Sequence, residues 1–227
     1  MKKFWSIVKK IILYSFIISI SLTILYRFVP PPFTILMIQR LVEQKMDGEK
    51  LKWKRDWVSI DEMSPFIQRA VIASEDDQFL NHWGFDVDAI KSAYQQNKKG
   101  KRLKGGSTIT QQTAKNIFLW PDRSYFRKAL EAYFTLMIEL FWSKERIMEV
   151  YLNSIEMGDG IYGIEAASKH YFKKSAKDLS KRESAAIAAI LPNPRKWSAS
   201  KPNAYIVKRQ YRILKRMRYI GKPEWIK

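Results

Sequence analysis

The chain has 227 residues, enough for one sizeable hydrophobic core plus an appendage. Its 41 Lys and Arg against 22 Asp and Glu give a net charge of +19, which favours an anionic partner: nucleic acid, anionic lipid or a phosphorylated substrate. A hydrophobic fraction of 46% excludes a disordered basic tail, and the lack of Cys excludes a disulfide framework or a thiolate metal site.

No charged residue occurs from Ile11 to Tyr26, and Lys9, Lys10 and Arg27 flank that run. It is slightly shorter than the about 20 residues that span a bilayer core, but Lys10 and Arg27 can extend it by snorkelling toward the headgroups. Lys2, Lys3, Lys9 and Lys10 favour a cytoplasmic N-terminus. No small-x-small cleavage site follows, so a signal anchor is expected in preference to a cleaved signal or a buried core helix. The expected order is a basic cytoplasmic tail over residues 1–10, a transmembrane anchor over 11–29, a membrane-proximal connector over 30–57 that begins with Pro30-Pro31-Pro32, and an extracytoplasmic domain over 58–227.

Beyond the connector the pattern is helical, so a mainly α domain is expected. Ser64 as N-cap and Pro65 at the first position open a helix that carries Phe66, Ile67, Ala70 and Val71 at core spacing and ends near Glu75. Further helices are predicted over roughly 86–96, 108–118, 124–141 and 144–153, the first three entered through Asp86, Ser107 or Thr108, and Ser124. The segment from Gln95 to Lys104 reads as a mobile basic loop. Ser180 and Glu183 form a capping-box pattern before an Ala-rich helix that stops at Pro192, and Asn203 to Ile220 reads as a basic last helix ended by Gly221.

Three constellations carry polar chemistry. Glu75, Asp76 and Asp77 precede Phe79, His82 and Gly84 at the end of an apolar helix, where a desolvated carboxylate would be a stronger base and an exposed one merely an acidic helix end. Gly105-Gly106-Ser107-Thr108 leads into a helix with Gln111, Gln112, Lys115 and Asn116, which suits an anionic or polyhydroxyl ligand and equally suits a capped helix after a turn. Arg127 and Lys128 share a helix face with Glu131, as a solvated salt-bridge face also would. Farther on, Glu149 and Asn153 share another face.

In order along the chain, Glu-Asp-x-x-Phe-x-x-His-x-Gly from Glu75, Gly-Gly-Ser-Thr-Ile-Thr-Gln-Gln-x-x-Lys-Asn from Gly105, Arg-Lys-x-x-Glu from Arg127 and Ile-x-Glu-x-Tyr-Leu-Asn from Ile147 resemble the four leading motifs of the family 51 peptidoglycan glycosyltransferases. Ala188 to Pro194 is similar to the fifth. The resemblance covers about Ser64 to Pro194 and departs at Ile155 to Gly160. Ser-x-x-Lys, the nucleophile motif of the fused transpeptidase domains, occurs only at Ser6 and Ser198, in the terminal segments, so the chain resembles the monofunctional members.

The resemblance implies a lysozyme-like helical large lobe with a small membrane-facing lobe. It implies polymerisation of the undecaprenyl-pyrophosphate-linked disaccharide-peptide, lipid II, into β-1,4 glycan with inversion. Glu75 would be the general base and Glu131 the second catalytic carboxylate. Lys115, Arg127 and Lys128 would bind the leaving pyrophosphate, and Ser107, Thr108, Gln111, Gln112 and Asn116 the sugars and phosphates. Glu149 and Asn153 would brace the cleft or touch substrate. Glu131 is the one candidate ligand for a divalent cation, Mg or Mn; no other cofactor is expected. The implied partners are lipid II, the growing glycan strand, lipids of the bacterial cytoplasmic membrane and other cell-wall synthesis or division proteins, with no role for nucleic acid. Two competing readings remain at this level. A lytic transglycosylase or muramidase would share the helical body and a catalytic Glu but would need no pyrophosphate-binding cations. A non-enzymatic basic protein would explain the charge without a cleft.

Overall fold

The computed structural model describes residues 1–98, 106–122 and 124–226. The architecture is mainly helical, as expected. Helix α1 (Lys2–Phe28) is long and apolar enough to cross a membrane and is almost wholly unburied by the rest of the chain. It includes the basic tail expected over 1–10 as continuous helix. Within the segment read as a connector, Thr34 caps a second helix, α2 (Ile35–Met46), which packs on the later helix α5.

The globular part begins with β1 (Lys54–Arg55) and a short 3-10 turn, then α3 (Pro65–Glu75), α4 (Val87–Lys98), α5 (Ile109–Phe118), α6 (Tyr125–Phe141) and α7 (Lys144–Ser154). The strands β2 (Glu156–Gly158) and β3 (Ile161–Tyr162) follow, then α8 (Ile164–Phe172), α9 (Lys181–Ile190) and α10 (Ala204–Arg216). The strands form a small sheet in the order β1-β3-β2, with β1 parallel and β2 antiparallel to β3. The basic loop expected over 95–104 falls partly in α4, to residue 98, and otherwise outside the described residues, as does Gly105.

Local chemistry explains these boundaries. The Ser64, Thr108, Ser124, Ser143, Ser180 and Asn203 side chains each accept a backbone N–H of the helix they open, satisfying donors that would otherwise be orphaned. The last helix stops at Arg216 rather than near Ile220, its final carbonyls closed by turn bonds to Met217, Arg218 and Tyr219.

The core lies between α3, α5, α7 and α9. Ile67, Val71 and Ile72 of α3 share the core with Ile187 and Ile190 of α9, which packs on α3 and whose Ala185, Ala186, Ala188 and Ala189 are all buried. The end of α1 is bound into this body. Trp142 donates Nε1–H to Thr23 O at 2.7 Å, Ser19 Oγ meets the Tyr133 hydroxyl at 2.8 Å, and Arg146 donates to Tyr26 O and Val29 O.

Gly84 fixes how closely the loop after α3 approaches α6. Its φ is +74°, and a Cβ there would lie 2.6 Å from Thr135 Cγ2 and 2.9 Å from Glu139 Cγ. Gly84→Ala should therefore destabilise the fold by on the order of 2–4 kcal/mol, read as a lowered midpoint in thermal or denaturant unfolding; an unchanged midpoint would contradict this packing.

Candidate active site

The helix α3 ends at Glu75 because Asp76 leaves the helical region, with φ −163° and ψ 81°. Its carboxylate turns inward, accepting Ile109 N–H at 2.9 Å through Oδ2 and meeting His82 Nε2 at 2.8 Å through Oδ1. A carboxylate at that point satisfies a free donor and complements the positive end of α5. Thr108 donates to Gly84 O at 2.6 Å, and Thr108 and Gln111 close a reciprocal capping box. Behind them Glu139 Oε1 accepts from Thr110 and Lys144, and Lys144 also donates to His82 O. Asp76, His82 and Gly84 thus hold the start of α5, while Phe79 lies fully buried under the Lys144 ammonium. Glu75 and Asp76 both line a cleft, but only Asp76 is committed to holding α5.

That cleft, of about 540 Å³, is lined by Glu75, Ser107, Thr108 and Gln112 and closed by Arg209, Arg212 and Arg216 of α10. Glu75 is mostly buried, and both its oxygens are engaged. Ser74 Oγ lies 2.8 Å and Arg209 Nη2 3.3 Å from Oε1, while Gln112 Nε2 donates to Oε2 at 3.3 Å. Gln112 Oε1 in turn accepts the hydroxyl of Tyr151 at 3.2 Å.

One helical turn along α5, a second cavity of about 490 Å³ is lined by Arg40, Lys115, Asn116 and Arg127. Gln112 and Lys115 stand three residues apart, so one face of α5 serves both cavities. Beside the second cavity, Glu131 is buried and accepts from Arg127 Nη1 at 2.7 Å and from Lys128. No described carboxylate lies within ion-pairing distance of Lys115. Burial pushes the Lys115 ammonium below the usual lysine range, the charges of Glu131 and Glu75 oppose that shift, and Arg127 and Lys128 reinforce it. Arg127 Nε is buried without a partner among the described residues. Cations held together in this way favour an anion between them.

The predicted residues divide by place. Glu75, Ser107, Thr108 and Gln112 line the first cavity and Lys115, Asn116 and Arg127 the second, with Lys128 and Glu131 paired alongside. Gln111 is occupied by its capping box. Glu149 and Asn153 line neither cavity. Asn153 is fully buried and ties α7 to Val58, and Glu149 pairs with Arg146, the residue that holds the end of α1. Burial raises the Glu149 carboxyl above its ordinary range, with Arg146 opposing.

A family model described as Transglycosylase matches residues 43–218. The chain belongs to the transglycosylase family. It is similar to proteins named biosynthetic peptidoglycan transglycosylase from Bdellovibrio bacteriovorus strain HD100 (54% identical, covering 93% of this chain and 84% of the relative), Bacteroides thetaiotaomicron (52%; 97% and 89%) and Pseudomonas syringae pv. syringae (50%; 92% and 88%). Its activity is peptidoglycan glycosyl transfer.

Four arginines in the cavities of this transglycosylase, Arg40, Arg209, Arg212 and Arg216, were not singled out in the sequence. Arg40 comes from α2, hidden in the supposed connector. Arg209 comes from the basic last helix, where spacing with Arg212 and Arg216 marks one face but looks the same as a solvated basic stripe.

Asp76 is the residue whose loss should disturb the site most through the frame, because its carboxylate holds the start of α5. Asp76→Ala strands the Ile109 N–H and His82, so stability should fall by about 3–5 kcal/mol, measured by denaturant unfolding. A fall below about 1 kcal/mol would contradict a buried clamp on α5.

Proposed function

We propose that this transglycosylase polymerises lipid II by in-line, inverting transfer, with Glu75 as general base and the Lys115–Arg127–Lys128 group as the electrostatic partner of the leaving pyrophosphate. The observation that carries the reading is the division of labour along one face of α5: a held carboxylate in one cavity and an excess of partly buried cations in the next. In-line displacement needs a base on one side of the anomeric carbon and charge stabilisation on the other.

The acceptor 4-hydroxyl oxygen forms the new bond to the anomeric carbon as its proton passes to Glu75. The bond from that carbon to the donor pyrophosphate breaks, and its electron pair leaves on the pyrophosphate oxygen. Inversion turns the α-linked donor into a β-1,4 bond. Pyrophosphate is a weak base, so it needs charge stabilisation more than a proton, and Lys115, Arg127 and Lys128 supply it. Glu131 orients Arg127 and Lys128 from beneath. Ser107, Gln112 and Asn116 contact sugar or phosphate, Thr108 and Gln111 present the start of α5, and Glu149 and Asn153 brace the domain against α1 and the segment before α3.

The residues at Glu131 do not fit a divalent ion held by side chains. Both of its oxygens face cations, and among the described residues no three Asp, Glu or His side chains converge as a metal-binding group. No step above is routed through a metal.

Polymer formation from purified lipid-linked precursor tests the reading directly. Glu75→Gln keeps size and hydrogen bonding but removes basicity, so turnover should fall roughly 10²- to 10⁴-fold with folding and precursor binding intact. Lys115→Ala should lower turnover by about 10²-fold or more. A folded Glu75→Gln protein with full activity eliminates Glu75 as the base, and an unchanged Lys115→Ala rate removes Lys115 from the leaving-group site.

The same reading puts α1 across the cytoplasmic membrane in a single pass, with the domain from about residue 58 outside, among membrane lipids and other cell-wall synthesis or division proteins. The four lysines before the apolar run and a lipid-linked external substrate support that orientation. Protease added to spheroplasts should degrade the domain; protection until lysis would reverse the topology.

A further inference from the structure

We infer that Tyr151 and Arg209 are positioning residues for Glu75, each fixing one oxygen of its carboxylate from a different helix. The inference rests on the reading of Glu75 as the base. A base must present a lone pair along the line to the acceptor hydroxyl, and a glutamate side chain has three torsions to lose before it does so. Glu75 is also the last residue of α3, where the backbone is about to unwind, so its own helix constrains it weakly.

At Oε2 the constraint comes through Gln112. An amide can offer a carboxylate either its NH2 or its oxygen, and only the first is attractive. The acceptor-only carboxylate selects the NH2, and Tyr151 holds the amide in that orientation from its oxygen side. Tyr151 is almost completely buried in α7, and burial, with the charges of Glu75 and Asp76, pushes its hydroxyl well above the usual tyrosine range, so the group keeps the proton it donates. Its proton goes to Gln112 Oε1, which leaves Nε2–H for Glu75. Reversing the amide would place oxygen against carboxylate.

At Oε1 the constraint is Arg209. Its Nη2 lies 3.0 Å from Ser74 Oγ and 3.3 Å from Glu75 Oε1, while its Nε is buried without a partner among the described residues. An arginine that served only to solvate α10 would turn that Nε–H to water. The helix it stands on is itself fixed: Ile206, Ile213 and Met217 are buried, and Arg69 donates to Met217 O and Ile220 O. Ser74, between them, is also within reach of Ala188 O, so α3, α9 and α10 meet behind the carboxylate.

Neither residue moves a proton in this scheme, and that separates it from a direct catalytic or a purely structural role. The test uses full-length protein and the lipid-linked precursor, with Tyr151→Phe, Arg209→Gln and Arg209→Lys made alone and in a Glu75→Gln background. Tyr151→Phe and Arg209→Gln should each lower kcat roughly 5- to 50-fold with KM within about twofold, and Arg209→Lys should recover part of the loss. In the Glu75→Gln background neither should reduce the residual rate further, because the group they position no longer acts as a base. Wild-type turnover in folded Tyr151→Phe and Arg209→Gln, with Glu75→Gln still impaired, overturns the positioning role and leaves the base in place. Equal losses in both backgrounds overturn it in favour of a structural role, and losses confined to KM in favour of substrate contact. Full activity of Glu75→Gln removes base and positioning together.

Discussion

The Asp76 carboxylate at the N-terminus of α5 is the interaction on which the rest of the site depends. It ends α3, so it decides where Glu75 stands, and it anchors α5, so it decides where Gln112 and Lys115 stand. Both cavities therefore take their geometry from one buried contact with a side-chain exposure of 1%. Gly84, Thr108, Glu139 and Lys144 extend the same clamp to α6 and α7. A site that must align a carboxylate with a cation group one helical turn away gains more from a rigid shared helix than from additional ligands on loops.

Much of the fold was legible in the sequence because its signals are local. Ser64, Thr108, Ser124, Ser180 and Asn203 cap the helices that their spacing predicted, and the Ala-rich run is the buried helix it looked like. What the sequence did not show was non-local. The segment 30–57 has the mixed apolar and basic content of a connector, yet α2 forms there because its partner, α5, lies some seventy residues on. The helix α10 was visible, but nothing in its letters told Arg209 beside Glu75 from Arg212 or Arg216 farther along the cleft. Contact with a residue more than a hundred positions away leaves no periodicity to read.

The motifs were legible in a different way: residues that recur together were found together in space, but not always in the sense their chemistry suggested. A lone His before Trp-Gly reads as a hydrogen-bonded structural residue, and His82 is that, holding with Asp76 a helix terminus, whereas the Asp76 carboxylate by its letters could as well have been a base. Gln111 looks like a ligand group and is half of a capping box, whereas Tyr151 looks like core and carries the hydroxyl that orients Gln112. Polar residues in a motif can therefore divide between the reacting surface and the frame behind it, and only burial and partner geometry separate the two.

The charge distribution follows the same logic. Glu131 partly neutralises Arg127 and Lys128, and it sits under them, leaving the positive side of the cluster toward the cavity that Lys115 and Arg40 share. A cluster fully balanced by carboxylates would have little left for a ligand; one with no carboxylate would repel itself and splay. One buried glutamate against several cations lies between these limits. Lys115, on the other helix, has no described carboxylate within ion-pairing distance and loses solvation to the core, so it is the member that gains most when an anion arrives. Lys115 also feels the opposing charges of Glu131 and Glu75, so the two cavities along one face of α5 share a single electrostatic environment.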